Sequence, residues 1–323
     1  MRVAFSALNR HLRPECTEVR TAAVYNRRMR HLHLVMAFAA CVLAWPVHGQ
    51  ESPAWRVRMR DGLIQPGDVV RLEVTPPAAA SAVSATWQSR TVPFVADGAS
   101  WNALIGIDVD AAVGSDVLRL TSVPVRGAAS TWDVPIAIAP KAVRTRRLRV
   151  NPKFVNPPKA MLPRITCETA LLNALFEKTS ADRLWRSGAV RPVEGVAVSG
   201  FGVRSVLNGE PRGPHTGLDL AAGTGTPVYA PTPGVVVYAR EFYYSGNTVI
   251  LDHGQGLYST MAHLSAIDVT EGQRVAQAEL LGKVGATGRV TGPHLHWAVR
   301  LHGARVDPLS LVEALATASR RVP

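Results

Sequence analysis

Cysteine is scarce in this chain: of 323 residues only Cys16, Cys41 and Cys167 carry a thiol. No Cys-x-x-Cys pair exists, which argues against a thiolate metal site and against dithiol redox chemistry. Cys16 and Cys41 fall in a segment expected to be removed, so Cys167 is expected to stand alone as a small buried hydrophobe, with no intrachain disulfide. Lysine is missing from residues 1–49, which hold seven arginines against only Glu15 and Glu18. Histidine is missing from Ser52 to Ala139, so imidazole chemistry cannot come from that stretch. Long apolar runs are missing too. The run from Leu32 to Trp45 is shorter than the about 20 residues of a comfortable membrane span.

That short run follows Arg27, Arg28 and Arg30 and precedes Val47-His48-Gly49, the layout of an export signal with a small-residue cleavage site. Residues 1–49 are therefore expected to be a leader, with Met29 as an alternative start, and the mature chain to lack a stable membrane span. Export to the periplasm or cell envelope follows. A lipoprotein anchored through Cys41 is the less favoured alternative, because the apolar run continues past that residue. The net charge is +12, and its excess outside the leader suits an anionic polymer or surface. Nucleic acid is not expected as a partner, since the charge is dispersed and no nucleic-acid motif is present.

From residue 50 to 140 short strand-like segments alternate with Gly, Pro and Asp signals, among them Val69–Val74, Ala103–Val109, Val117–Val123 and Trp132–Ile138. This spacing predicts a small antiparallel β-sandwich of immunoglobulin-like scale. Residues 141–198 read as a linker: a basic, proline-punctuated connector, extended and solvated, then a short helix over Glu168–Thr179 with Thr166 as its N-cap. Residues 199–314 are expected to be almost all β, with strands at Val228–Ala230, Gly234–Tyr238, Thr248–Leu251, Leu257–His263 and His294–Leu301, and 315–323 to be a tail. The whole chain is thus expected to be mainly β.

All six histidines after the leader lie between His215 and His302. Four of them, with one aspartate, form a pattern: His215-Thr-Gly-Leu-Asp219, then His263, then His294-Leu-His296. A zinc site takes three protein ligands from His, Asp, Glu or Cys and keeps one position open. His215, Asp219 and one histidine of the His-Leu-His pair supply three. Residues two apart on a strand share a face, so both His294 and His296 can reach one site. His253 is expected in a hairpin turn and His302 exposed at a strand end.

The stretch from about Gly200 to Leu311 resembles the lysostaphin/LytM-type zinc metallopeptidases, which cut peptide bonds in bacterial peptidoglycan. The resemblance is carried by residues 211–222 (Pro-Arg-Gly-Pro-His-Thr-Gly-Leu-Asp-Leu-Ala-Ala), 246–254 (Gly-Asn-Thr-Val-Ile-Leu-Asp-His-Gly) and 288–297 (Gly-Arg-Val-Thr-Gly-Pro-His-Leu-His-Trp). It implies that His215, Asp219 and His296 bind Zn2+ and that His263 and His294 form the catalytic pair. Arg204, Arg212 and Asn247 are candidates for substrate binding.

The segment 271–285 resembles the barrel-like half of that fold, which also resembles lipoyl and biotinyl carriers. Lys283 is expected within a strand rather than at a hairpin tip, which disfavours a carrier. The function implied is a zinc-dependent endopeptidase acting on stem-peptide cross-links of peptidoglycan, at the D-Ala–diaminopimelate bond. No wall-binding repeat of the kind common in the oligoglycine-cutting branch is seen before Pro323. The alternative is a catalytically silent regulator that activates another wall hydrolase, and a regulatory protein partner fits either reading.

Overall fold

A computed structural model describes residues 54–59, 62–149, 156–185 and 188–316. The expected leader, its cleavage site and the lipoprotein alternative at Cys41 lie outside the described residues, as does most of the expected tail.

The first half builds two four-stranded antiparallel sheets. One has the order β1 (Arg56–Met59), β2 (Val69–Thr75), β6 (Ser100–Gly106), β5 (Val95–Asp97); the other has β4 (Arg90–Pro93), β3 (Ala80–Trp87), β7 (Gly114–Pro124), β8 (Ser130–Ile138). Alternation decides which face of each strand turns inward. Val70, Leu72 and Val74 of β2 meet Leu118 and Leu120 of β7 and Val134, Ile136 and Ile138 of β8 in one core.

The described part of the linker's basic segment is mostly exposed, as expected, but it is also paired into a sheet. Thr145–Leu148 form β9, which pairs in parallel with β11 (Arg204–Leu207); β11 in turn pairs with β12 (Glu210–Pro214). Hydrogen bonding to a strand edge gives this basic segment a fixed place that its composition did not announce. The helix α1 runs over Leu162–Phe176 rather than Glu168–Thr179, and no side chain caps it. Pro163 sits in its first turn, where the missing N–H costs nothing, so Thr166 lies inside the helix. Cys167, expected to be a lone thiol, is disulfide-bonded in the full chain, and its partner lies outside the described residues.

The last part folds around a ten-stranded sheet. Its strands are β10 (Val196–Ser199), β13 (Gly217–Ala221), β14 (Pro227–Tyr229), β15 (Gly234–Phe242), β16 (Gly246–Asp252), β17 (Leu257–Ile267), β18 (Arg274–Val275), β19 (Leu280–Val284), β20 (Leu295–Leu301) and β21 (Ala304–Val306), and α2 (Pro308–Leu315) follows. The main path is β10-β13-β20-β17-β16-β15-β18. On β20 the odd residues Leu295, Trp297, Val299 and Leu301 enter the core, and on β13 Leu218 and Leu220 do the same. The same period turns Asp219 and His296 to the opposite face. Lys283 lies within β19, as expected.

The two halves pack on one another, and Ser52–Pro323 hold together as one unit. Val69 and Leu104 belong to the core of the second half. Asp307 caps α2 through the Leu309 amide, and the Val69 amide donates to Ser310 Oγ at 2.9 Å. Arg305 donates to Asp108 and, at 2.9 Å, to Asp110 Oδ2. Among the described residues no helix is long and apolar enough to cross a membrane.

Candidate metal centre

Register brings the donors together. Asp219 on β13 pairs directly with His296 on β20, and His296 pairs with Ala262 on the other side. Both donors therefore point from the same face of adjacent strands. His215 lies between β12 and β13, and a bend carries its ring back over Asp219.

His215 Nε2 lies 3.0 Å from Asp219 Oδ1 and 3.1 Å from His296 Nδ1, and His296 Nδ1 lies 2.8 Å from the same carboxylate oxygen. On its far side, His215 Nδ1 donates to the Gly200 carbonyl at 3.0 Å, which leaves the Nε2 lone pair aimed at the cluster. Three electron-rich atoms thus converge on one point and can hold one metal ion. Donors about 2.0–2.1 Å from a tetrahedral ion stand roughly 3.3 Å apart, a few tenths of an ångström from the separations seen. Burial opposes the charge on Asp219, yet hydrogen bonds with His215 and His296 hold its carboxyl well below the usual carboxylate range. Burial also lowers the proton affinity of His296. Unprotonated imidazoles and an ionised carboxylate are the states a metal requires.

His263 and His294 stand beside this set. Their ring centroids are 5.0 Å apart, and His263 is 5.8 Å from His296. His294, expected to open the strand over His294–Leu301, lies one residue before β20, in a bridge with Gly285. Its Nδ1 donates to the Gly292 carbonyl at 2.8 Å, and its Nε2 lies 3.7 Å from Asp219 Oδ1.

His263 is placed by an irregularity. Asn247 of β16 pairs with Leu264 and Val249 with Met261, so β17 holds one residue more than its partner there. The surplus is absorbed where His263 takes a positive φ of 66°, and Met261 and Leu264 both still reach the core. His263 Nδ1 donates to the Thr287 carbonyl at 2.9 Å, leaving Nε2 for the site. Burial, then the neighbouring His296 and His294, push its imidazole down to about 3.

The five residues form the floor of an open cleft of about 480 Å³. Of the three candidates for substrate binding, Arg212 lines the cleft, paired with Glu210 at 2.8 Å. Arg204 does not line it; it lies 3.6 Å from Asp110. Asn247 does not line it either, but its amide donates to Thr287 Oγ1 at 2.9 Å and so steadies the residue that orients His263. Sequence reasoning missed Arg146 and Arg289, which both line the cleft. Arg289 lies within the motif at 288–297, whereas nothing in the linker's composition marks Arg146.

His253 occupies the expected turn. It is fully buried, with Nδ1 donating to the Pro233 carbonyl at 2.8 Å and Nε2 2.7 Å from Ser259 Oγ. His302, expected to be exposed, is buried instead, because β21 and the Arg90 side chain fold over its turn.

The model of peptidase family M23 matches residues 213–308. Peptidoglycan DD-endopeptidase ShyA of Vibrio cholerae is 45% identical over 96 residues, which are 30% of this chain and 22% of that protein. DD-carboxypeptidase/endopeptidase Mpg of Neisseria meningitidis serogroup B is 45% identical over 97 residues, 30% of this chain and 22% of its own. The aligned part is thus about a fifth of the length of these curated relatives. A crystal structure of a Pseudomonas aeruginosa protein assigned to peptidase M23 is 33% identical, covers 78% of this chain and 96% of its own, and superposes with a TM-score of 0.61. With that relative matched over nearly its whole length, the chain belongs to peptidase family M23.

Proposed function

We propose that this chain is a zinc-dependent endopeptidase that hydrolyses peptide cross-links of bacterial peptidoglycan, at the D-Ala–diaminopimelate bond. The observation that carries the reading is the convergence of His215, Asp219 and His296 on one point, with His263 and His294 beside it, in a cleft open to an extended peptide. One relative named as a peptidoglycan DD-endopeptidase and another named as a DD-carboxypeptidase/endopeptidase support the substrate and bond.

His215, Asp219 and His296 would hold the zinc, whose Lewis acidity polarises a peptide carbonyl and acidifies water. His263 and His294 carry the protons. Each has Nδ1 tied to a backbone carbonyl, so each presents Nε2 to the cleft. Between them they take the proton of the attacking water, stabilise the developing oxyanion and return a proton to the leaving amine. Arg212 lies where it can meet a carboxylate of the substrate.

The two N-terminal sheets fit an immunoglobulin-like sandwich with a positioning or regulatory role. The arginine-rich leader supports export to the periplasm or envelope. The complete five-residue set favours catalysis over the silent regulator.

Two measurements test the proposal. The purified protein should carry about one zinc per chain, and chelation, His215→Ala or Asp219→Ala should abolish cleavage. Digestion of diaminopimelate-type sacculi should lower cross-linked dimers and raise monomers, without new reducing sugar ends. Full activity after exhaustive chelation would sink the zinc assignment, and unchanged dimers would sink the substrate.

A further inference from the structure

Three arginines from separate segments line the metal cleft: Arg146 on β9, Arg212 on β12 and Arg289 in the loop before β20. Asp219 is the only acidic residue among the lining residues, and its Oδ1 already faces His215 and His296. The cleft wall is therefore strongly cationic, in a protein whose fold gives those charges little local compensation.

Arg146 and Arg289 are each held so that part of the fork faces the cleft. Arg146 Nε donates to Ser205 Oγ at 3.1 Å, and its Nη2 lies 3.9 Å from Asp219 Oδ2, beyond hydrogen-bonding distance. The guanidinium is fixed along one edge and leaves N–H groups on the cleft side. Arg289 stacks on Tyr244, 4.6 Å from the ring centroid, and its backbone amide donates to the Tyr244 carbonyl at 2.8 Å. Among the described residues no carboxylate lies within ion-pair distance of Arg289. Arg212 shares its charge with Glu210. A stacked, planar guanidinium with open N–H edges matches a carboxylate in two-point contact, which a lysine would not reproduce.

We propose that Arg146 and Arg289, with Arg212 beside them, form a carboxylate-binding subsite next to the metal centre that reads an acidic group of the peptide in the cleft. This deepens the peptidase reading above and rests on it for the peptide itself. The subsite also explains why β9 is laid against β11: parallel pairing from Arg204↔Thr145 to Leu207↔Leu148 brings Arg146 beside Ser205 at the rim of the cleft.

The test separates binding from turnover. A fluorescently labelled cross-linked peptide dimer of the diaminopimelate type is titrated into full-length zinc-loaded protein carrying His263→Ala. Three forms are compared: all carboxylates free, the side-chain carboxylate amidated, and the terminal carboxylate amidated. One amidation should weaken binding by about tenfold or more, the usual range for losing a charged hydrogen-bonded pair, and shows which carboxylate is read. Adding Arg146→Gln or Arg289→Gln should remove that discrimination, and Arg146→Lys should restore only part of it.

Equal affinity for all three forms overturns the proposal, as does discrimination that survives both glutamine variants, or no binding of any form. Cleavage of sacculi by the unsubstituted protein is scored separately. Retained discrimination without cleavage would count against the peptidase reading and leave the subsite standing.

Discussion

A methyl group at position 217 would meet His296 Cε1 at 2.5 Å and the Trp297 carbonyl oxygen at 2.7 Å. With glycine there, β13 approaches β20 closely enough for Asp219 and His296 to stand 2.8 Å apart. Gly217→Ala should therefore weaken zinc affinity by about 10- to 100-fold, as does disturbing the residues that orient a ligand. Metal titration checks this, and unchanged affinity would mean that the ring relaxes. His263→Ala should keep its zinc and lose about 10²–10⁴-fold in turnover, the typical worth of general acid–base assistance. Metal content and rate measured on the same sample distinguish the two classes of residue. The histidines and Asp219 were legible in the sequence because spacing and strand period constrain them. The backbone at His263 was not, since no glycine or asparagine marks the left-handed position. His302 was misjudged for a related reason: a histidine before a glycine reads as a turn tip, and burial comes from chain that folds over it from elsewhere.

At the scale of elements, alternation located the strands on either side of the site, and their observed ends differ from the expected ones by a few residues. Several features escaped, among them α2, the start of α1 and β9. The start of α1 was hidden because Pro163 looks like a helix breaker until it is seen in the first turn, and β9 was hidden because a strand held by one edge needs no apolar face. The β16–β17 hairpin carries a consequence for acid stability. Burial pushes His253 in its turn down to about 4, against about 6.5 when unfolded. Between those values the unfolded chain binds the extra proton, so stability is complete above about pH 6.5 and is lost as pH falls toward 4. The loss is roughly 3 kcal/mol at full protonation. Thermal melts from pH 4 to 8 should show a steeper acid slope for the unsubstituted protein than for His253→Gln, which should be less stable at neutral pH. Parallel slopes would remove His253 as the cause.

For the whole molecule, the sequence suggested two domains joined by a connector near residue 140. What it could not show is that Val69 and Leu104 pack into the second core or that Arg305 ties β21 to Asp108 and Asp110. The Arg305 contacts join residues 195 or more positions apart, beyond the reach of local pattern. Because the packing is continuous, calorimetry of residues 50–323 should give a single cooperative transition. Two well-separated transitions would show that the halves unfold independently.

The strand β9 makes the choice of where to trim this protein more than a matter of convenience. A chain begun at residue 141 keeps the segment that forms one rim of the cleft, while a chain begun at residue 156 contains the three proposed metal ligands and both proposed proton carriers yet lacks that rim. The two would look equivalent by motif and by zinc content. They would differ in how tightly they grip an acidic peptide, so an isolated peptidase domain cut at the obvious boundary would under-report the selectivity of the intact chain.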